Sequence, residues 1–171
     1  MGAGKGLSIL AGILIIVATF VLSWFTVAGP EYAYGIGLVK NIMGMFTDAA
    51  TLATSWGVET FVIYIVAVVY ILFLISGILV LIGAKVRVLA IIGAIVPIFL
   101  CYAIIAGALN IPPDFYPYIS VFLDSEPLVA GIIPFDLPLA PANASATVSL
   151  GTYILLAGGV LGLIGGIMGR D

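Results

Sequence analysis

Histidine is absent from this chain, cysteine occurs once, at Cys101, and charged residues make up only 8% of its 171 positions. A soluble domain carries about 25% charged residues, so water is not the main solvent this sequence is built for. One cysteine cannot form a disulfide framework or a CxxC pair. Without imidazole the usual ligand sets for haem, copper and zinc are missing. The acidic residues are spread over many segments with no Asp-x-Asp-x-Asp spacing, so no metal site is expected. Five basic residues scattered along the chain leave no electrostatic footprint for nucleic acid.

A further absence is positional. Four long apolar runs contain no Asp, Glu, Lys, Arg or His: Leu7 to Ala28, Thr60 to Ile82, Leu89 to Leu109 and Thr152 to Gly169. Proton pumps, ion-coupled transporters and voltage sensors need ionisable groups inside the membrane. The polar side chains within the runs include Tyr64, Tyr70, Ser76, Cys101 and Tyr102. None has an obvious base beside it in sequence, so they read as interhelical packing or hydrogen-bonding groups. No catalytic residue, cofactor or metal is expected.

What is there fits lipid. A helix needs about 20 apolar residues to cross a hydrocarbon core of about 30 Å, and the runs hold 22, 23, 21 and 18 residues. A backbone in lipid must satisfy its own hydrogen bonds, which leaves helix as the local structure. The expected fold class is therefore all-α: a single membrane domain over 1–171, a four-helix tetraspan bundle. The first run is longer than the 7–15-residue core of a signal peptide and is expected to be retained. Lys5, Lys85, Arg87 and Arg170 fall at one set of ends, and only Lys40 at the other. The positive-inside rule then places both termini in the cytoplasm, in a multi-pass protein of the cell membrane. The net charge is +3 on the inner side and −6 on the outer side.

Six residues, Gly83 to Val88, join the second and third runs, making them antiparallel neighbours. The outer segments are longer, 29–59 and 110–151, and are expected to be structured. In the first, Leu38, Ile42, Met45, Phe46, Ala49 and Leu52 recur at helical spacing, an amphipathic helix. Trp24, Trp56 and Tyr32 stand where interfacial anchors belong. The second holds seven of the nine prolines, interleaved with Phe115, Tyr116, Tyr118, Phe122 and Phe135. Proline stiffens it and blocks long helices. A cap of extended and short helical pieces is expected, resting on the first outer segment or on a partner. Asn143-Ala144-Ser145 is a glycosylation sequon on the outer side.

Glycine spacing is the strongest positive pattern. Gly158, Gly162 and Gly166 are four apart, as are Gly165 and Gly169, and as are Ala103 and Gly107 in the third run. Such spacing makes a smooth helix face that another backbone can approach closely. Pro97 is expected to kink the third run. Four runs, a tryptophan at the outer end of the first and Gly37-Leu38 further on resemble the claudin and peripheral-myelin-protein tetraspan superfamily. The final tryptophan of that family's Trp…Gly-Leu-Trp motif is Val39 here. The two disulfide-bonded cysteines that accompany its outer β-sheet and paracellular role have no counterpart. The expected partners are the lipid bilayer and other membrane subunits or further copies of the chain. The leading expectation for function is a non-enzymatic scaffold or accessory subunit. The alternatives are a transporter or channel for a neutral or lipid-like solute, and a cofactor-holding subunit of a membrane redox or pigment complex.

Overall fold

The computed structural model describes residues 2–27, 32–108, 118, 121, 123–124, 138–140 and 146–168. The described chain is predominantly helical: α1 (Ala3–Phe20), α2 (Gly35–Thr47), α3 (Ala49–Trp56), α4 (Thr60–Leu74), α5 (Ser76–Gly83), α6 (Arg87–Ala108) and α7 (Leu150–Ile167). Three of these, α1, α6 and α7, are long and apolar enough to cross a membrane, or up to 4 spans if the bent pair α3–α4 is taken as one. α3 and α4 meet at 102°. The corner is a helix stop at Gly57, whose φ of 67° is open to glycine without steric cost. The Val58 amide reaches back to the Ala53 carbonyl (3.0 Å), closing the end of α3.

α4 and α5 are separated by Ile75 alone. Backbone hydrogen bonds run across it, from the Ile75 amide to the Ile71 carbonyl (3.2 Å) and from the Leu79 amide to the Ile75 carbonyl (2.9 Å). The uncharged run therefore continues from Thr60 to Gly83 with a break about two thirds of the way along it. α1, α5, α6 and α7 pack in a ring, each against two neighbours, while α4 lies against α2 and α3 and meets α6 only sparsely. The outer surface differs from that of a water-soluble bundle, although the core also holds large side chains such as Ile15, Ile63, Phe73 and Leu155. Large apolar side chains face outward, among them Leu10, Ile13 and Val17 on α1, Phe61, Ile65 and Val68 on α4, Ile92, Ile95 and Phe99 on α6, and Val160 and Ile164 on α7. Small residues face inward, including Ala11, Ala18, Ala67, Ala90, Ala94 and Ala103.

A second layer caps one end of the ring. Five short strands, β1 (Phe25–Val27), β2 (Tyr32–Ala33), β3 (Leu123–Asp124), β4 (Pro138–Ala140) and β5 (Ala146–Ser149), form one sheet in the order β3-β2-β1-β5-β4. Every pairing is antiparallel, with Phe25 opposite both Ala33 and Val148. Both outer segments thus enter one sheet, which helical periodicity in the sequence did not announce. Pro138 opens the edge strand β4, where proline is tolerated. The first apolar run is corrected here: it was expected to be helical to Ala28, but α1 ends at Phe20 and Phe25–Val27 is strand. β-branched residues at Thr26 and Val27 favour extended backbone, and pairing with β2 and β5 supplies the hydrogen bonds that a continued helix would have supplied.

Candidate functional site

No groups of three or more His, Cys, Asp or Glu able to hold a metal ion occur among the described residues. The features worth building up are a packing surface, a buried junction and a cap contact. α7 is the centre of the first. Its glycines divide between two neighbouring helices. A Cβ built at Gly158 would stand 2.9 Å from Ile15 Cγ1, and one at Gly165 would stand 2.7 Å from Ser8 Oγ and 2.9 Å from the Gly4 carbonyl oxygen, all on α1. One at Gly159 would stand 2.7 Å from Ile98 Cγ1, and one at Gly166 3.0 Å from Ile91 Cγ1, both on α6. Gly162 lies between the two faces, near Ala94, Val80 and Ala11. Ala103 is buried in α6. Gly107 lies in α6, with nothing described beyond its backbone, and Gly169 lies outside the described residues.

The same device recurs at positions that the sequence reading passed over. Gly12 on α1 and Gly77 on α5 face each other: a Cβ at Gly77 would be 2.6 Å from Ile16 Cγ1 and 3.1 Å from the Gly12 carbonyl oxygen. Gly93 on α6 lies against Ser76 and Leu79 of α5. The signal was present, since Gly4, just ahead of the first run, and Ser8 and Gly12 within it are spaced by four. Ser8 spends its hydroxyl on the Gly4 carbonyl (3.0 Å), so it packs as a small residue with no unmet donor.

The second feature is centred on Trp24. Its ring is fully buried, edge-on to Phe73 with centroids 5.2 Å apart, and Nε1 donates to the Ala18 carbonyl at 2.7 Å. This corrects its assignment as an interfacial anchor, because a ring with no exposed surface presents nothing to headgroups. Its backbone joins three elements. The amide donates to the Ala33 carbonyl of β2 (2.8 Å), and the carbonyl accepts from the Ser149 amide (2.8 Å) and from Thr152 Oγ1 of α7 (2.7 Å). Cys101 Sγ of α6 in turn donates to the Thr152 carbonyl (3.3 Å). Thr152 has no sequence signal that sets it apart from any threonine near a helix start.

The third feature holds the cap. Tyr70 Oη donates to the Tyr118 carbonyl, Asn41 Nδ2 donates to the Val121 carbonyl (2.9 Å), and the Trp56 and Tyr118 rings meet edge-on at 5.0 Å. Trp56 is half-buried against this second outer segment. Tyr32 sits in β2. Phe115, Tyr116, Phe122, Phe135 and Asn143 lie outside the described residues. At the opposite end of the ring Arg87 closes α7: Nε donates to the Gly166 carbonyl (3.0 Å) and Nη2 to the Ile167 carbonyl (2.7 Å). A cation there complements the negative end of the helix dipole.

The polar side chains of the apolar runs do not converge. Tyr64 and Tyr102 face outward, Tyr70 is held by the cap, and Ser76 is buried at the α4–α5 break. What the arrangement can do chemically is bind helices closely and tie a cap to them. No protein-family model, curated protein or solved structure matches this chain.

Proposed function

We propose that this chain is a non-enzymatic, multi-pass membrane scaffold or accessory subunit that packs laterally against other membrane subunits or further copies of itself. In this reading α1, the α4–α5 rod, α6 and α7 cross the bilayer, the sheet and α2–α3 lie outside, and both termini are cytoplasmic. The observation that carries it is an outer surface of large apolar side chains around helices that cross closely at glycine and alanine. Helices in lipid gain nothing from hiding leucine and isoleucine from their solvent, and they associate through close small-residue contacts instead. Charge placement supports the orientation. Lys5 begins α1, Arg87 closes α7, and Lys85 lies beside it, whereas Asp48 and Glu59 flank α3 at the other end. The resemblance to the claudin-like tetraspan proteins belongs to this proposal. A sheet fed by both outer segments, following a tryptophan after the first rod, supports it.

Transport finds less support, because Tyr64 and Tyr102 are exposed on the outside whereas Tyr70 and Ser76 are buried, so the four do not line one path. The test is purification in mild detergent followed by mass measurement of the intact complex. A mass above that of one chain, from copies or from a co-purifying membrane subunit, is the expected result. A monodisperse single chain would overturn the scaffold reading.

A further inference from the structure

α4 and α6 are both interrupted at the same level of the bundle. On one side the rod breaks at Ile75, and Ser76 Oγ, fully buried, has no hydrogen-bond partner. On the other side Pro97 has no N–H to give to the Gly93 carbonyl, four residues back in α6. The two interruptions touch: a Cβ at Gly93 would stand 2.8 Å from the Ser76 carbonyl oxygen. On the basic side of this level everything is tight. α5 is held against α1 through Gly12 and Gly77 and against α6 through Gly83 and Gly93. On the cap side α4 parts from α6, and an apolar cleft of about 50 Å³ opens between them, lined by Val69, Tyr70 and Phe73 and by Val96, Phe99 and Ala103. The one polar group of that lining, the Tyr70 hydroxyl, is engaged by the Tyr118 carbonyl, which closes the cap end of the cleft.

We infer that Ile75–Ser76 and Gly93–Pro97 form a paired hinge, that α4 swings on it, and that the cleft takes one acyl chain of a membrane lipid. The inference rests on the membrane reading above, though not on the scaffold role. The occupant follows from continuity. The cleft opens between the outward stripes Ile65 and Val68 on α4 and Ile95 and Phe99 on α6, so its mouth is part of the surface that would face lipid. Its free volume suits a few methylene groups and is too small for a helix. With the only hydroxyl occupied, nothing in it would recognise a headgroup or a polar solute.

The experiment is photolabelling in nanodiscs of phosphatidylcholine carrying a diazirine on one acyl chain, with labelled peptides mapped by mass spectrometry. Label on residues 69–73 and 96–103 is expected to exceed label on the outward face at 160–167 by several-fold. Ala103→Phe should lower the cleft label several-fold and Phe99→Ala should raise it, with 160–167 unchanged by either. Pro97→Ala, which restores the missing donor, should also lower the cleft label. Cleft label equal to that at 160–167 and indifferent to both substitutions, or a protein–protein cross-link in its place, would overturn the lipid occupant. A cleft label unmoved by Pro97→Ala would overturn the hinge. Absence of label at 160–167 as well would overturn the membrane reading itself.

Discussion

Trp24 shows how much a single position carries. Its indole is buried, its Nε1 caps a carbonyl near the end of α1, and its own carbonyl accepts from both β5 and Thr152. Trp24→Ala removes a large buried ring and should cost about 3–5 kcal/mol. Trp24→Phe keeps most of the packing but leaves the Ala18 carbonyl without its donor, a loss of about 1–3 kcal/mol. Thermal unfolding in detergent should therefore rank wild type above Phe and Phe above Ala, and equal midpoints for wild type and Trp24→Phe would refute the hydrogen bond's role. The residue itself was conspicuous in the sequence, but its direction was not. A tryptophan at the end of an apolar run reads as a headgroup anchor, and only the strand that follows it turns the ring inward. Tyr70 makes a similar point, since its partner is a backbone carbonyl 48 residues away. Tyr70→Phe removes that bond and should speed proteolysis of the 110–149 segment with little change in bundle melting. An unchanged cleavage rate would show that the cap is held without it.

At the scale of elements, α7 is the helix that α1 and α6 approach most closely. Glycines on two faces let α1 and α6 approach its backbone, and the substitution experiment has a control built into α1. A Cβ at Gly6 would meet nothing within 4 Å, whereas one at Gly165 would lie 2.9 Å from the Gly4 carbonyl oxygen and from the Ser8 amide nitrogen. Gly165→Ala should destabilise by about 1–3 kcal/mol through overpacking. Gly6→Ala should be neutral or slightly stabilising, because alanine is the better helix former. Equal melting temperatures for the two variants would argue against the close crossing. The rods were legible because each is a long uncharged run, and the glycine spacing was legible because a period of four stands out. Which neighbour each glycine meets was not, since Gly158 and Gly159 differ by one residue yet turn to different helices. The sheet was hidden for a different reason. Its strands are two to four residues long, too short for alternation to register, and partners such as Phe25 and Val148 are more than a hundred positions apart.

The described residues divide into a ring of α1, α5, α6 and α7 and a cap at one end of it that includes the sheet. The molecule's two ends differ in charge, with Lys5, Lys85 and Arg87 at one and Asp48 and Glu59 at the other. The orientation proposed above, with both termini cytoplasmic, rests on that asymmetry. The direct measurement is side-specific thiol labelling in sealed membrane vesicles, using Lys85→Cys and Asp48→Cys one at a time on a Cys101→Ala background. Both positions are exposed in the fold, so reagent access reports the side of the membrane and not burial. Membrane-impermeant maleimide applied from outside should label Asp48→Cys in intact vesicles and Lys85→Cys only after permeabilisation. Labelling of both from the same side, or a chain that stays in the aqueous fraction without detergent, would contradict it.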